Sequence, residues 1–251
     1  MTRRRFYAPP QAFSFDAKSV ALSAEETRHA RDVLRLKSGD EVYVFDGTGR
    51  EVRGNIENLA RDSSEVSVTG EVEPARGESP LKLTLAVALL KGEKFDLVVQ
   101  KMAELGVARV IPLATQRGDV RRRNDDDAGH KVTRWRRIAL EATKQCGRAR
   151  LMEIEAPLPF DNLIMRRKGD ELRLMFSERG GTSLAVAAGQ AEEPCDITAV
   201  VGSEGGWTED EIDQAREADW RIVTLRGRIL RAETAAIVVA ALLQNRFGDL
   251  I

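Results

Sequence analysis

Within the first 72 residues, the pattern of polar and apolar positions is that of short β-strands with one helix. Three segments alternate polar and apolar residues or cluster β-branched residues: 41–45, 51–56 and 65–72. Asp46-Gly47 and Gly49 separate the first two segments and are typical turn residues. We therefore predict that residues 1–72 form a small, mostly β unit.

One helix interrupts these strands. Ser23 and Glu26 have the spacing of a capping box, in which each side chain bonds a free backbone amide of the first turn. This predicts a helix from Ser23 to about Leu34. The following stretch 73–80 combines two prolines and a glycine with charged residues, and we interpret it as a linker between two domains.

Beyond the linker, apolar runs alternate with helical periodicity over residues 81–251. The predicted order is strand 81–90, helix 93–105, strand 109–113, helix 130–146, strands 171–176 and 196–201, helix 209–218, strand 221–225 and helix 232–245. Gly106 is placed to end the first helix of the series. This alternation is typical of a parallel α/β domain.

Composition argues against several classes of function. No apolar stretch approaches the roughly 18 residues of a membrane-spanning helix, and no secretory signal follows the arginines at the start of the chain, so we expect a cytoplasmic protein with no membrane partner. Cys146 and Cys195 lie far apart and only His29 and His130 are present, so we expect no metal site. The net charge is −1, but arginines cluster, which allows a basic face or a merely solvated surface.

The first motif with chemical meaning is the glycine-rich stretch 201–206 between a predicted strand and a predicted helix. Thr208 and Glu211 form a second capping box, so the glycines occupy a strand-to-helix turn, where ligands of open α/β sheets bind. The stretch matches neither the dinucleotide fingerprint nor a P-loop. Taken alone, it fits a ligand site and a tight packing turn equally well.

The second motif is 225–236, where a loop with three arginines opens the last helix. Residues 235–243 are all apolar, which predicts burial on every side, in a core or at a dimer interface. Arg231 lies at the start of this helix. Removing its charge from water is costly unless an anionic or carbonyl group pairs with it. Arg231 is either a functional residue or part of a structural ion pair with Glu233 or Glu204.

Together, several separated segments resemble one family. VGSEGG (201–206), RILRAETA (228–235), KGEKFDLVVQKMAELGV (91–107) and EATKQCGR (141–148) resemble the bacterial 16S rRNA uracil-N3 methyltransferases of the SPOUT superfamily. RFYAP (5–9) and the stretch 29–49 are similar to the PUA-like RNA-binding domain of that family. The resemblance covers nearly the whole chain.

The resemblance implies a small N-terminal PUA-like β-barrel domain (1–72), the linker 73–80, and a C-terminal SPOUT α/β domain (81–251) with a parallel sheet and a trefoil knot. It also implies an S-adenosylmethionine (SAM) cofactor, a homodimer, and methylation of N3 of a uridine in the decoding region of 16S rRNA, either free or in the 30S subunit. Two positions depart from the usual pattern, since Ser203 stands where proline is common and Ala232 where threonine is common. We expect altered loop stiffness from both.

By motif, the resemblance assigns three loops to the cofactor, 176–178, 201–206 and 225–234, and names as contacts residues in and directly after them. These residues are Phe176, Ser177, Glu178, Val201, Gly202, Glu204, Gly205, Gly206, Leu225, Gly227, Ile229, Leu230, Thr234 and Ala235. Chemistry then suggests catalytic roles: Arg231 would stabilise the negative charge that develops on the uracil, and Glu204 or Glu233 would accept the N3 proton.

Phosphate contacts need cations on a shared surface. The candidates for RNA binding are Arg3, Arg4, Arg5, Arg28, Arg31, Arg35, Lys91, Lys94, Arg121, Arg122 and Arg123. On an α-helix, positions 28, 31 and 35 would share one face. A merely solvated face remains an alternative for these three.

The sequence is also compatible with other functions. A related enzyme that methylates the ribose 2′-hydroxyl of tRNA or rRNA would share the fold, and a non-catalytic RNA-binding or ribosome assembly factor would share it without binding SAM. A nicotinamide-dependent oxidoreductase is disfavoured because the phosphate-binding fingerprint is missing.

Overall fold

The structure, a computed structural model, describes residues 3–118, 125–166, 169–189 and 196–250, with the backbone alone at 125–128. The chain divides into two compact units. The N-terminal unit comprises Met1–Glu78 together with Thr143–Leu151, and the C-terminal unit comprises Ser79–Ala142 and Met152–Ile251.

Among its described residues, the N-terminal unit contains one five-stranded sheet in the order β1-β3-β4-β5-β2. The strands are β1 (Arg5–Tyr7), β2 (Ser19–Leu22), β3 (Glu41–Phe45), β4 (Glu51–Leu59) and β5 (Ser64–Val72). β1 pairs with β3 in parallel and the other pairings are antiparallel. Alternate residues such as Val42, Val44, Val52 and Val66 are fully buried, as the two-residue period requires. The predicted strands are therefore confirmed, and β1 and β2 are additional.

The predicted first helix is shorter than the pattern suggested. Ser23 caps it by accepting a bond from the amide of Glu26, but α1 ends at Arg28 (Ala24–Arg28) and continues as a π-helical turn over His29–Val33. Arg35 lies beyond both with a φ of +53°. The prediction that positions 28, 31 and 35 share one α-helical face is wrong, because the wider π turn changes the angle between successive side chains.

The segment Thr143–Leu151 packs on the turn between β3 and β4. Gly49 donates its backbone amide to Ala149, and Leu151 donates its amide to Gly47. Gly47 has a φ of +84°, and a Cβ there would lie 2.9 Å from Cδ1 of Leu151. The turn glycine thus permits both the local conformation and the approach of a distant part of the chain.

The strands of the C-terminal unit run in the order β12-β10-β11-β6-β7-β8 in one sheet, with β9 also pairing with β7, and each recorded pairing is parallel. They are β6 (Lys82–Ala88), β7 (Arg109–Ala114), β8 (Glu153–Ile154), β9 (Leu158–Pro159), β10 (Leu172–Phe176), β11 (Asp196–Val201) and β12 (Arg221–Val223). The helices that accompany them are α2 (Lys94–Glu104), α3 (Asp125–Cys146), α4 (Phe160–Ile164), α5 (Leu184–Ala188), α6 (Glu209–Glu217) and α7 (Ala232–Phe247). The predicted parallel α/β class is confirmed.

Both faces of this sheet are covered, which explains the nearly continuous apolar runs of its strands. In β6, Leu83, Leu85 and Val87 join a core cluster with α2, α3 and α7, whereas Ala86 points to the other face and packs with α4 and α6. α2 buries the stripe Phe95, Val98, Val99, Met102 and Ala103 at helical spacing. Gly106 follows α2 with a φ of +74°, as its predicted role at the helix end requires.

In the part of the chain that the structure describes, no helix combines the length and apolar character needed to cross a membrane. The same residues contain no group of three or more His, Cys, Asp or Glu side chains placed to hold a metal ion.

Candidate functional site

A cavity of about 350 Å³ lies at the carboxyl ends of β10, β11 and β12. β12 follows β11 in sequence but lies on the far side of β10, so the strand order reverses at this place. Such reversals leave a crevice between the loops, where open α/β sheets bind ligands. The lining consists of Phe176, Ser177, Glu178, Val201, Gly202, Ser203, Glu204, Gly205, Gly206, Trp207, Leu225, Gly227, Arg228, Ile229, Leu230, Ala232, Ala235 and Val239.

The loop after β11 turns tightly at its glycines. The amide of Gly206 donates to the carbonyl of Ser203 at 2.9 Å, and Gly206 has a φ of +66°. A Cβ at Gly206 would lie 2.5 Å from Oε1 of Glu178, which comes from the loop after β10. The left-handed backbone of the turn favours glycine here, and a side chain at this position would displace the carboxylate of Glu178.

Trp207 ends this loop and is fully buried. Its indole Nε1 donates to the carbonyl of Phe176 at the end of β10, and its ring lies where a Cβ on Gly202 would be 3.0 Å away. The next residue, Thr208, starts α6 through the predicted capping box with Glu211, and both reciprocal bonds are present. A rigid helix start thus holds one wall of the cavity.

The loop after β12 forms a further wall of the cavity, besides the loops after β10 and β11. Gly227 has a φ of +116°, and Ile229 and Leu230 are apolar residues exposed by 94% and 36%. Arg231 is the N-cap residue of α7, and within the described residues it forms neither of the ion pairs considered above, with Glu204 or Glu233. Glu233, in the first turn of α7, has a buried Oε2 with no hydrogen-bond partner.

Glu204 extends from the glycine loop and forms an ion pair with Lys94 in the first turn of α2. Lys94 is about one-third exposed and Glu204 about half exposed, so solvent screens the pair. The lysine that the sequence suggested for RNA binding is therefore placed beside the predicted cofactor loop.

The structure brings together around this cavity every residue that the resemblance assigned to the cofactor, except Thr234. Thr234 is exposed on α7 and is absent from the lining. Ser203, Arg228 and Ala232 also line the cavity and lie within the predicted loops 201–206 and 225–234. Sequence reasoning missed two lining residues, Trp207 and Val239. Trp207 directly follows the glycine-rich motif, and Val239 follows from Ala235 by the i, i+4 spacing of a helix.

The N-terminal arginines have different environments. Arg5 is 9% exposed and bonds the buried Glu51 and the backbone carbonyls of Thr143, Lys144 and Arg148. Its donors are committed to holding the 143–151 segment, so we remove Arg5 from the RNA-binding candidates. Arg3 bonds Glu51 and the carbonyl of Glu73, and the more exposed Arg4 lies 3.8 Å from Asp40.

The remaining RNA candidates also differ. Arg28 and Arg35 are exposed, but the guanidinium of Arg31 bonds both carboxylate oxygens of Asp32 and thereby lowers the pKa of that carboxyl. Lys91 is exposed. Arg121, Arg122 and Arg123 lie outside the described residues.

Comparison with known families places the chain in a class. The family of RNA methyltransferase domains matches residues 77–244, and the family of RNA methyltransferase PUA domains matches residues 22–69. The fold and the loop-lined cavity described above thus belong to an RNA methyltransferase with a PUA domain.

Individual relatives narrow this class. A protein named ribosomal RNA small subunit methyltransferase E from Synechocystis sp. is 34% identical over 96% of this chain and 77% of its own length. The protein of the same name from Bacillus subtilis is 29% identical over 88% of each. This chain belongs to the ribosomal RNA small subunit methyltransferase E family.

Two solved structures align with this chain over the full length of both proteins. A methyltransferase from Legionella pneumophila, in complex with its bound cofactor SAM, has a TM-score of 0.89 and 32% identity. A ribosomal RNA small subunit methyltransferase E from Neisseria gonorrhoeae, bound to SAM, has a TM-score of 0.87 and 30% identity.

Proposed function

We propose that this protein transfers a methyl group from SAM to N3 of a uridine in the decoding region of 16S rRNA. The observation that carries the proposal is the single cavity enclosed by the loops after β10, β11 and β12, lined by the residues predicted for the cofactor. Family membership and two SAM-bound relatives of the same fold support the choice of cofactor and substrate.

The residues of the cavity fit SAM. Its volume lies within the range of about 300–1,000 Å³ that is usual for small-molecule sites. Leu225, Leu230 and Val239 provide an apolar surface for a flat heterocycle, and the glycines at 202, 205 and 206 let backbone groups approach a polar ligand. When bound, SAM supplies an electrophilic methyl group on a sulfonium, so no metal is needed.

The remaining task of the protein is to orient and deprotonate the uracil. The N3 lone pair is delocalised into two carbonyls, so loss of the N3 proton creates the nucleophile. We assign stabilisation of the resulting negative charge on O2 or O4 to Arg231, which has no carboxylate partner among Glu204 and Glu233. Holding N3 in line with the methyl carbon and sulfur of SAM lowers the barrier to transfer further.

Two carboxylates remain candidates for accepting the N3 proton. Glu204 lines the cavity but is paired with Lys94, whereas Glu233 has a buried oxygen without a hydrogen-bond partner. Glu204 is the one of the two that lines the cavity, whereas Glu233 is not among the lining residues and its unpaired oxygen is buried, so position favours Glu204.

RNA binding is assigned to both domains. We propose that the PUA-like domain (1–72) binds through Arg3, Arg4, Arg28, Arg31 and Arg35, and that the domain after the linker 73–80, residues 81–251, binds through Lys91, Lys94 and Arg121–Arg123. Arg4, Arg28, Arg35 and Lys91 are exposed, which supports this assignment. The substrate is either free 16S rRNA or the 30S subunit.

We further propose that the protein is a cytoplasmic homodimer whose C-terminal domain contains a trefoil knot. The exposed apolar residues Ile229, Leu230 and Leu242 support a dimer surface beside the start and outer face of α7. Light scattering on the purified protein measures the dimer directly.

Two measurements test the function. Calorimetry with SAM separates an enzyme from a non-catalytic assembly factor, which would not bind it. Mass spectrometry of nucleosides from modified RNA then distinguishes N3-methyluridine from a ribose 2′-O-methyl product. Detection of the ribose product, or of no SAM binding, would contradict the proposal.

A further inference from the structure

Arg117 lies just after β7 and its side chain reaches the glycine loop of the cavity. Its Nη1 donates to the carbonyl of Gly205 at 3.2 Å and to the carbonyl of Trp207 at 3.1 Å. One guanidinium therefore bonds two peptide groups of a loop that is 88 and 90 residues away in sequence. In the sheet, β6 lies between β7 and β11, so this contact reaches across β6.

The backbone of Arg117 makes a second attachment to the same loop. The hydroxyl of Ser203 donates to the carbonyl of Arg117 at 3.2 Å. A Cβ on Gly205 would lie 3.0 Å from Cβ of Arg117 and 3.1 Å from its carbonyl oxygen. Because residue 205 has no side chain, the two segments can touch. The hydrogen bond of Ser203 stabilises the same contact.

These bonds hold two peptide planes that are already fixed at their other ends. In the peptide after Gly205, the amide of Gly206 donates to Ser203. In the peptide after Trp207, the amide of Thr208 donates to the carboxylate of Glu211. Because a peptide group is planar, bonds at its carbonyl and at its amide together restrict its rotation.

Arg179, from the loop after β10, also donates to the carbonyl of Trp207, at 3.1 Å. That carbonyl keeps a partner if Arg117 is removed, whereas among the described residues the carbonyl of Gly205 accepts no bond besides that from Arg117. The expected effect of losing Arg117 is therefore local and falls on the cavity wall at Gly205.

We propose that Arg117 is a positioning residue that holds the Gly205–Trp207 wall in the shape that binds the cofactor. This inference rests on the proposed function for the identity of the cofactor. Arg117 is not itself among the residues that line the cavity, so it acts through the loop and not by touching the ligand.

The test is calorimetry with SAM on the full-length protein, alongside thermal unfolding without SAM. We expect Arg117→Ala to weaken SAM binding about tenfold, as loss of one charge-assisted hydrogen bond would, with an unchanged unfolding midpoint. Arg117→Lys should recover only part of the affinity, because an ammonium lacks the planar fork of a guanidinium. Arg166→Ala is the matched control, since this half-exposed arginine bonds Glu155 and does not line the cavity.

A double-mutant cycle with Ser203→Ala separates positioning from a general loss of stability. The Ser203 hydroxyl bonds the backbone carbonyl of residue 117, which alanine keeps, so the two variants remove different attachments of one loop. Because either loss lets the same loop move, the affinity loss of the double variant should be smaller than the two single losses combined. If Arg117→Ala does not fold, Arg117→Lys, which keeps the charge and the aliphatic stem, must itself weaken SAM binding. Failure of the wild type to bind SAM would overturn the proposed function, whereas wild-type binding with Arg117→Ala within twofold of it would overturn this inference alone.

Discussion

The indole nitrogen of Trp207 donates a 2.8 Å hydrogen bond to the carbonyl oxygen of Phe176, and both residues are buried. This bond ties the loop after β11 to the end of β10, so it connects two walls of the proposed cofactor cavity. Its removal should therefore change both stability and ligand affinity.

Trp207→Phe keeps an aromatic ring but removes the indole donor together with the second ring, which leaves a small cavity in a fully buried site. The carbonyl of Phe176 would remain buried without its partner, at a cost of about 1–3 kcal/mol in the free energy of unfolding. We expect a lower midpoint in thermal unfolding and weaker SAM binding by calorimetry. Trp220→Phe is the control, because its indole bond to Ile164 is 3.4 Å long and it does not line the cavity. Equal SAM affinities for the two variants would contradict the role of Trp207.

Gly206 and Gly92 form a second matched pair. Both have left-handed backbones, with φ of +66° and +61°, but a Cβ at Gly206 meets the carboxylate of Glu178 whereas a Cβ at Gly92 meets nothing within 4 Å. Replacement by alanine should cost each about 1–2 kcal/mol of backbone strain. Only Gly206→Ala should also weaken SAM binding. Equal affinities in titrations of the two variants would show that the loop contact is unimportant.

Arg4 and Arg5 are neighbours with opposite expected roles. Arg5→Ala leaves the buried Glu51 without its main partner and should destabilise the protein by about 3–5 kcal/mol. Arg4→Ala should leave stability almost unchanged and reduce by about one the slope of log affinity for RNA against log salt concentration. Thermal unfolding and RNA binding at several salt concentrations measure both. An unchanged salt slope for Arg4→Ala would remove it from the RNA-binding set.

Arg231→Ala tests the proposed catalytic role. If Arg231 stabilises charge that exists only in the transition state, the variant should lose about 10²–10³-fold in kcat while its SAM affinity stays near wild type. Glu204→Gln should also lower kcat, and Glu233→Gln should do so less, because Glu204 lines the cavity and Glu233 does not. Single-turnover methylation assays provide these rates. Full activity in both glutamine variants would mean that neither carboxylate accepts the proton.

Local patterns predicted the parts of this molecule that depend on local interactions. The capping box of Thr208 with Glu211 and the helix end at Gly106 involve residues within four positions of each other, and the strands show in the alternation of residues along the chain. The glycine loop was recognisable for the same reason. These features need no knowledge of the rest of the fold.

Three features could not be predicted from local patterns, because they depend on contacts between residues far apart in the sequence. The π turn after Arg28 accompanies a bond from Arg31 to the carbonyl of Arg61, and Arg117 meets its loop only because the sheet places β7 two strands from β11. Likewise, Arg5 resembled its exposed neighbours in the sequence and is buried only because Glu51 and the carbonyl of Arg148 surround it.

The discontinuous N-terminal unit has a consequence for the order of folding during synthesis. Arg5 donates to a carbonyl 143 residues later, so the first 78 residues leave the ribosome well before all their packing partners exist. Although N-terminal domains usually fold first, this one cannot finish until Leu151 has emerged. A fragment that stops at Glu78 would lack the three acceptors of Arg5 in the 143–148 region, and the nascent protein must keep this unit incomplete while part of the second unit is being made.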